Sequence, residues 1–370
     1  MNKKLLLNLG LAMLLTLLLF PAAVLASSDK DVDAAQKSAQ SWLEATAAGN
    51  PELPQWIGAV AVSPQPYESV EGEVNAYMFA IAGEKGVVGH ILVGGSQYSY
   101  DVLEAGTSAP FALPSQSEVQ KAIESLGLQI DSAAIGKPVK LLYTGVDGYW
   151  ALYEVQNQKV AINLIFKKAV PLSDLKPTIP SPDEYQAGKK ETEASKSGSG
   201  ILDSGYNYLS MYYWSGAGRT CCGPCSGVSI GAYYRDYRGY SSLYGTNSAM
   251  YDSLYYYMLT YLNGGATLPQ DYGPGFITMT QACGYYNFSY ANDWYVTGSD
   301  YWTVVNGIDS GYPTALLITS QMHWRAIKGY YWYDPSYHYI YCTNSATSDS
   351  WEYLNWDSLG LGLFTSRIMN

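Results

Sequence analysis

Cysteine and histidine side chains carry most of the chemistry that this sequence offers, and they are unevenly distributed. The cysteines and histidines are Cys221, Cys222, Cys225, Cys283, Cys342, His90, His323 and His338. A cysteine acts as a nucleophile when it is held as a thiolate, which requires a neighbouring base or cation. All five cysteines lie in the second half of the chain, together with two of the three histidines. The sequence therefore predicts a thiol–imidazole pair, formed by one of three clustered cysteines and either His323 or His338.

Two other uses of the cysteines stay open. Cys222-x-x-Cys225 has the spacing of zinc ligands, but the residues left to complete a tetrahedron are single and scattered: Cys283, His323 and Cys342. Cys-Gly-Pro-Cys also occurs in thiol–disulfide oxidoreductases, where it follows a strand and begins a helix of a βαβ unit. Here the preceding residues, 215–220, read as loop, and no parallel-strand pattern follows soon after. Both alternatives are weaker than the hydrolytic one.

The residues after Cys222 predict a helix that begins at or near this cysteine. Pro224 suits the first turn of a helix, and Gly239 is a suitable residue to end it. Small residues between them would let the helix pack closely against a neighbour: Ser226, Gly227, Ser229 and Gly231. A thiol at a helix N-terminus has a lowered pKa, and the unpaired backbone N–H groups there can bind an oxyanion.

Three blocks of the second half resemble the papain-like cysteine peptidases, specifically the bacterial C39-like group. Cys222-Gly-Pro, followed by Tyr233-Tyr234 and Gly239-Tyr240, is similar to the nucleophile helix of that group. His323, on a predicted strand that runs into Gly329-Tyr330, is similar to its histidine block. Asn344 follows a third predicted strand, where the family places Asn or Asp. The resemblance spans Trp214 to about Trp356 and implies a Cys222–His323–Asn344 triad.

The sequence departs from that family in two places and leaves several residues in competition. Cys225 replaces the usual Thr or Ser, and residues 211–220 contain no Gln or Asn to serve as a side-chain oxyanion donor. Cys225-Ser-Gly is similar to the nucleophile motif of NlpC/P60 cell-wall amidases, so Cys225 is the rival nucleophile and Cys221 a further one. His338 lies in a predicted turn, where an exposed histidine is unremarkable. Asp349 is the alternative to Asn344.

The composition excludes several classes of protein. The 370 residues carry 21 Lys and Arg against 32 Asp and Glu, a net charge of −11, so a nucleic acid is not expected as partner. Residues 1–26 combine Lys3 and Lys4 with an apolar run and a small-residue cleavage pattern, which predicts a secretory signal peptide. No later stretch is long and apolar enough to predict a membrane span. We therefore expect a protein that is secreted or associated with the cell envelope.

The rest of the chain divides into two unlike parts. Residues 27–177 lack cysteine and predict a small α+β domain with helices near 31–48 and 115–126 and with two hairpins. Residues 178–200 are rich in Pro, Ser, Gly and charge, and predict a flexible linker open to cleavage near Lys189-Lys190 or Lys196. Residues 201–370 hold 28 of the 36 tyrosines, which would fill a core or line a groove for a peptide or glycan.

Together these features predict an exported cysteine peptidase of α+β class. The resemblance implies a papain-like catalytic domain over 201–370, with a nucleophile helix packed on an antiparallel sheet, preceded by a propeptide-like or accessory domain over 27–177. Its substrate would be a peptide or protein, no metal or organic cofactor is implied, and the first domain is a candidate intramolecular inhibitor. Two alternatives remain: a peptidoglycan amide hydrolase, and a non-enzymatic, Tyr-rich binding protein.

Overall fold

The structure is a computed structural model and describes residues 29–50, 52–130, 135–191, 198–201, 222–295, 301–319, 323–332, 338–343, 351–359 and 363–370. The chain divides into two compact units, with the boundary between Tyr185 and Gln186. Both units mix helices and strands, so the chain is of the α+β class. Within the described residues, no helix combines the length and the apolar character that crossing a bilayer requires. The predicted signal peptide, 1–26, lies outside these ranges.

In the residues that the structure describes, the first unit is a sheet of eight strands with two helices, before the helix that crosses the boundary. Its strands lie in the order β4-β3-β2-β1-β5-β6-β7-β8, and neighbours are antiparallel except β1 and β5. The helices are α1 (Asp29–Gly49) and α2 (Gln116–Glu124). The strands are β1 (Val60–Glu68), β2 (Val74–Gly83), β3 (Gly86–Gly94), β4 (Val102–Gly106), β5 (Lys140–Tyr143), β6 (Tyr149–Val155), β7 (Gln158–Asn163) and β8 (Ala169–Pro171).

Most elements of the first unit follow from local sequence. Helix α1 buries the apolar face that its periodicity predicts, including Ala39, Trp42 and Leu43. Helix α2 begins at Ser115, whose side chain and that of Glu118 form a capping box. The predicted hairpin between β2 and β3 is present, and its turn is closed by residues 83 and 86. Strand β1 is not predicted, because it carries two prolines and changes register between Val62 and Gln65.

The segment 178–200 differs from the flexible linker that its composition predicts. It contains helix α3 (Pro182–Glu191) and most of strand β9 (Gly198–Ile201). Helix α3 starts with a capping box: the Ser181 N–H donates to the Glu184 carboxylate, and the Glu184 N–H donates to the Ser181 hydroxyl. The overall composition of the segment does not show this local signal. Strand β9 pairs with a strand of the second unit, so that unit begins by residue 198 and not at 201.

The second unit is built on an antiparallel sheet in the order β10-β15-β11-β12-β13-β14, with β9 paired to β12. Its helices are α4 (Cys222–Tyr237), α5 (Asn247–Tyr257), α6 (Pro269–Ala282) and α7 (Tyr301–Asp309). Its remaining strands are β10 (Ser289–Tyr295), β11 (Thr314–Ile318), β12 (His323–Trp332), β13 (Tyr339–Thr343), β14 (Trp351–Asn355) and β15 (Leu363–Met369). The predicted strands around 314–318, 323–330 and 339–343 are all present.

Helix α4 is the central helix of the second unit, and its small residues allow close packing. Gly223, Gly227 and Gly231 lie four residues apart and therefore share one face. A Cβ at Gly227 would lie 2.9 Å from Leu254 of α5, and one at Gly231 would lie 3.2 Å from the Met250 Cε. Each glycine costs a helix about 1 kcal/mol relative to alanine. The close approach of α5 offsets that cost, as the small-residue pattern predicts.

Candidate functional site

The described part of α4 begins at Cys222, the nucleophile that the sequence favours. Cys222 is half-buried, whereas Cys225, one turn further along, is 1% exposed. The helix runs for 16 residues and ends as predicted, with Gly239 at a φ of +83° just beyond it. A reagent or substrate that approaches from solvent reaches the Cys222 side chain more readily than that of Cys225.

The first turn of α4 packs against the loop that precedes α6. A Cβ on Gly223 would lie 2.5 Å from the Cβ of Thr267, so only glycine allows the observed approach. The Thr267 side chain is held by a 2.7 Å hydrogen bond between its hydroxyl and that of Thr260. The Thr267 carbonyl accepts a 2.9 Å hydrogen bond from the indole N–H of Trp324. Trp324 follows His323 directly, so these contacts place the start of β12 beside the start of α4.

A second connection between the same two elements passes through Tyr272 of α6. Its ring stacks on that of Trp324, with centroids 4.2 Å apart and an interplanar angle of 20°. Its hydroxyl lies 2.9 Å from the Ser226 hydroxyl of α4, and all three side chains are buried. Burial raises the pKa of Tyr272 above its usual range, opposed by the bond to Ser226 and reinforced by the charges of Cys222 and Cys225. Tyr272 therefore lies within electrostatic range of both thiols.

The two candidate histidines lie beside opposite ends of β12: His323 is in β12, and His338 precedes the neighbouring strand β13. His323 is the first residue of β12, is 2% exposed and is in register with Ile318 of β11. His338 directly precedes Tyr339, whose partner on β12 is Tyr331, eight residues after His323. At about 3.3 Å per residue, that separation is roughly 26 Å. Trp324 holds the start of β12 beside the start of α4, so of the two histidines His323 lies at the end of β12 that is nearer the start of α4.

His338 is not the exposed turn residue that the sequence predicts. It is 2% exposed, and its Nδ1 lies 3.1 Å from an Oδ2 of the buried Asp357. The ring also packs edge-on against Tyr301, with centroids 4.9 Å apart. This pair fixes the chain before β13 to the 3-10 turn at residues 356–358, where the Trp356 N–H also donates to the His338 carbonyl. The local turn pattern gave no sign of these partners, because Trp356 and Asp357 lie 18 and 19 residues after His338 and Tyr301 lies 37 residues before it.

Side chains two residues apart on a strand share a face, which places Arg325 on the same face of β12 as His323. Arg325 is fully buried and forms an ion pair with Glu352 of β14. It also donates a 3.2 Å hydrogen bond to the Thr343 carbonyl at the end of β13. The guanidinium charge is thus matched inside the sheet. Replacing either partner would leave a buried charge uncompensated.

The third triad candidate, Asn344, lies outside the described residues, as do Cys221, Asp349 and residues 211–220, which contain no Gln or Asn to serve as an oxyanion donor. The residue before Asn344 is described. Thr343 accepts a 2.9 Å hydrogen bond from the Ala326 N–H through its hydroxyl. Strand β13 therefore runs toward the His323 end of β12, and its last described residue lies beside residues 325 and 326.

No disulfide joins two of the four cysteines that the structure describes. Within the same residues, none of the four cysteines belongs to a group of three or more side chains within metal-binding reach of one another. What the arrangement offers is nucleophilic chemistry: a partly accessible thiol at a helix start, backbone N–H groups in the same turn, and a buried imidazole at the start of the adjacent strand.

Two comparisons with known proteins gave no match. No protein-family model matches the chain, and no curated protein matches it.

The sequence patterns did not point to Thr267, Tyr272 and Trp324, which connect the two elements of the site. The only sequence signal for Tyr272 and Trp324 was the general enrichment in aromatic residues, and Thr267 had none, because the roles of all three depend on contacts between distant segments.

Proposed function

We propose that this protein is a cysteine peptidase that hydrolyses peptide bonds through Cys222, His323 and Asn344. The observation that carries the proposal is the packing of the first turn of α4 against the start of β12. That packing supports His323, and not His338, as the partner of Cys222. The papain-like resemblance of the sequence supports the same pair.

In the proposed mechanism, the helix dipole of α4 and the imidazole of His323 together favour the thiolate of Cys222. The thiolate attacks the amide carbonyl, and backbone N–H groups at the start of α4 bind the developing oxyanion. His323 delivers its proton to the leaving amine, and water then hydrolyses the thioester. Asn344 would orient the imidazole by accepting, through its side-chain oxygen, a hydrogen bond from the other ring N–H. Each step needs only groups of this chain and water.

The first test measures thiol reactivity, residue by residue. The full chain is alkylated with iodoacetamide over a range of pH, and modification of each cysteine is followed by peptide mass spectrometry. We expect Cys222 to react with a midpoint well below the ~8.5 of an ordinary thiol, and His323→Ala to raise that midpoint. His338→Gln is the matched histidine control and should leave it unchanged. An ordinary midpoint for Cys222 would contradict the proposal.

The second test measures hydrolysis. Cys222→Ala and His323→Ala should each abolish cleavage of a casein substrate, while Cys225→Ala should retain most of it. Activity in Cys222→Ala would transfer the nucleophile role to Cys225. Purified peptidoglycan, assayed in parallel, separates the peptidase from the cell-wall amidase. Absence of any activity, together with ordinary thiols, would favour the non-enzymatic binding protein.

A further inference from the structure

We propose that Tyr272 is a positioning residue for the thiol–imidazole pair. It connects the first turn of α4 to the start of β12, through its hydroxyl on one side and its ring on the other. The inference rests on the proposed function and adds a residue that the sequence motifs do not include. Tyr272 is fully buried and does not contact solvent.

The direction of the hydroxyl bond follows from proton counting. Ser226 has one hydroxyl proton, which it donates to the Gly223 carbonyl over 2.8 Å. The 2.9 Å contact between Ser226 and Tyr272 must therefore be donated by the Tyr272 O–H. Because burial raises the pKa of Tyr272, the phenol keeps its proton throughout the pH range in which a thiolate enzyme works. The hydrogen bond from α6 to the first turn of α4 therefore does not depend on pH in that range.

The ring of Tyr272 completes a closed circuit of contacts. Tyr272 stacks on Trp324, the Trp324 indole binds the Thr267 carbonyl, and the Thr267 side chain meets Gly223. The Gly223 carbonyl accepts a hydrogen bond from the Ser226 hydroxyl, and the Ser226 hydroxyl is hydrogen-bonded to Tyr272. Cys222 precedes this circuit by one residue in α4, and His323 precedes it by one residue in β12. A ring of contacts restrains the two chain segments more than any single contact does, so breaking one of them should let the start of α4 shift relative to the start of β12.

The test compares two buried tyrosines. Tyr272→Phe keeps the stacked ring and removes the donor. Tyr234→Phe is the matched control, since Tyr234 is also fully buried. Its hydroxyl donates a 2.7 Å hydrogen bond to the Ile368 carbonyl in β15. Both variants should lose comparable thermal stability. Only Tyr272→Phe should lower kcat, by about tenfold with KM within about twofold, and raise the alkylation midpoint of Cys222.

Ser226→Ala gives an independent variant, because it breaks the same bond from the α4 side and deletes a single oxygen. It also removes the bond from Ser226 to the Gly223 carbonyl, so it should lose at least as much kcat as Tyr272→Phe. The double variant should lose no more than Ser226→Ala alone, since the bond between Tyr272 and Ser226 is already absent there. Equal kcat and midpoint in Tyr272→Phe and Tyr234→Phe would overturn the inference while the peptidase proposal stands. An ordinary Cys222 midpoint in the unaltered protein would overturn both.

Discussion

The approach of Gly223 to Thr267 offers a direct way to displace the nucleophile without altering any reactive group. In Gly223→Ala the new Cβ would lie 2.5 Å from the Thr267 Cβ and 3.0 Å from its Cγ2, and closer still to the hydroxyl oxygen. Non-bonded carbon atoms prefer about 3.5–4.0 Å. Thr267 is held at both its hydroxyl and its carbonyl, so the start of α4 must move by about 1 Å to relieve the overlap.

A displacement of this size should have a large effect on activity and a modest one on stability. Misplacing a reacting group by about 1 Å costs on the order of 100-fold in rate. Overpacking a core costs about 1–3 kcal/mol in the free energy of unfolding, and alanine recovers about 0.5–1 kcal/mol of that in a helix. We therefore expect Gly223→Ala to stay folded, with kcat/KM reduced about 100-fold.

Gly231→Ala is the matched control on the same face of the same helix. Its Cβ would also overlap a neighbour, but that neighbour is the end of the Met250 side chain, with its Cε at 3.2 Å and its sulfur nearer. A flexible thioether can rotate away, and the site lies two turns from Cys222. We expect a stability change of similar size and kcat/KM within about threefold of the unaltered protein.

The assay is steady-state hydrolysis, with urea denaturation of each variant as the measure of stability. Alkylation of Cys222 against pH serves as a second readout, and its midpoint should rise only in Gly223→Ala. If Gly223→Ala and Gly231→Ala showed equal activity at equal stability, the contact with Thr267 would not position the nucleophile, and the site as described would be wrong.

Three further predictions concern other parts of the chain. Burial raises the pKa of Tyr98 and of Tyr153 to about 12, so these neutral side chains stabilise the fold fully below about pH 10, and that stabilisation is lost as the pH rises through 12. Tyrosinate absorbance and circular dichroism, followed against pH, should record the loss as one cooperative transition. Glu352→Gln leaves Arg325 buried without its carboxylate and should cost about 3–5 kcal/mol in urea unfolding, whereas a loss under 1 kcal/mol would mean that the pair is hydrated. Limited trypsin digestion should spare Lys189 and Lys190, because they lie in helix α3 and proteases bind extended chain, so that a cut within 178–200 falls after Lys196, the other basic residue there. That cut should raise activity if the first domain inhibits the second; first cleavage inside α3, or an unchanged rate, would refute the respective part.

The sequence by itself determined the elements whose signals are local. The periodicity of α1, the cap of α2, the hairpin between β2 and β3 and the glycine that follows α4 depend on residues within a few positions of one another. The spacing of small residues in α4 also predicted close helix packing. Composition failed in 178–200, where a short capping pattern outweighed the overall polarity and formed α3.

Only the tertiary structure decided which elements pack against the start of α4 and where the two histidines lie along β12. The sequence predicts His323 on a strand and His338 in a turn, and the strand register of β12 and β13 then shows how far apart along the sheet they lie. The contacts that bring α4 and β12 together join residues 46 positions apart, Ser226 and Tyr272, and 57 apart, Thr267 and Trp324. No periodicity encodes such pairs, because they form when whole elements pack. Side chains of ordinary type thus acquire their roles from the partners that the fold brings to them.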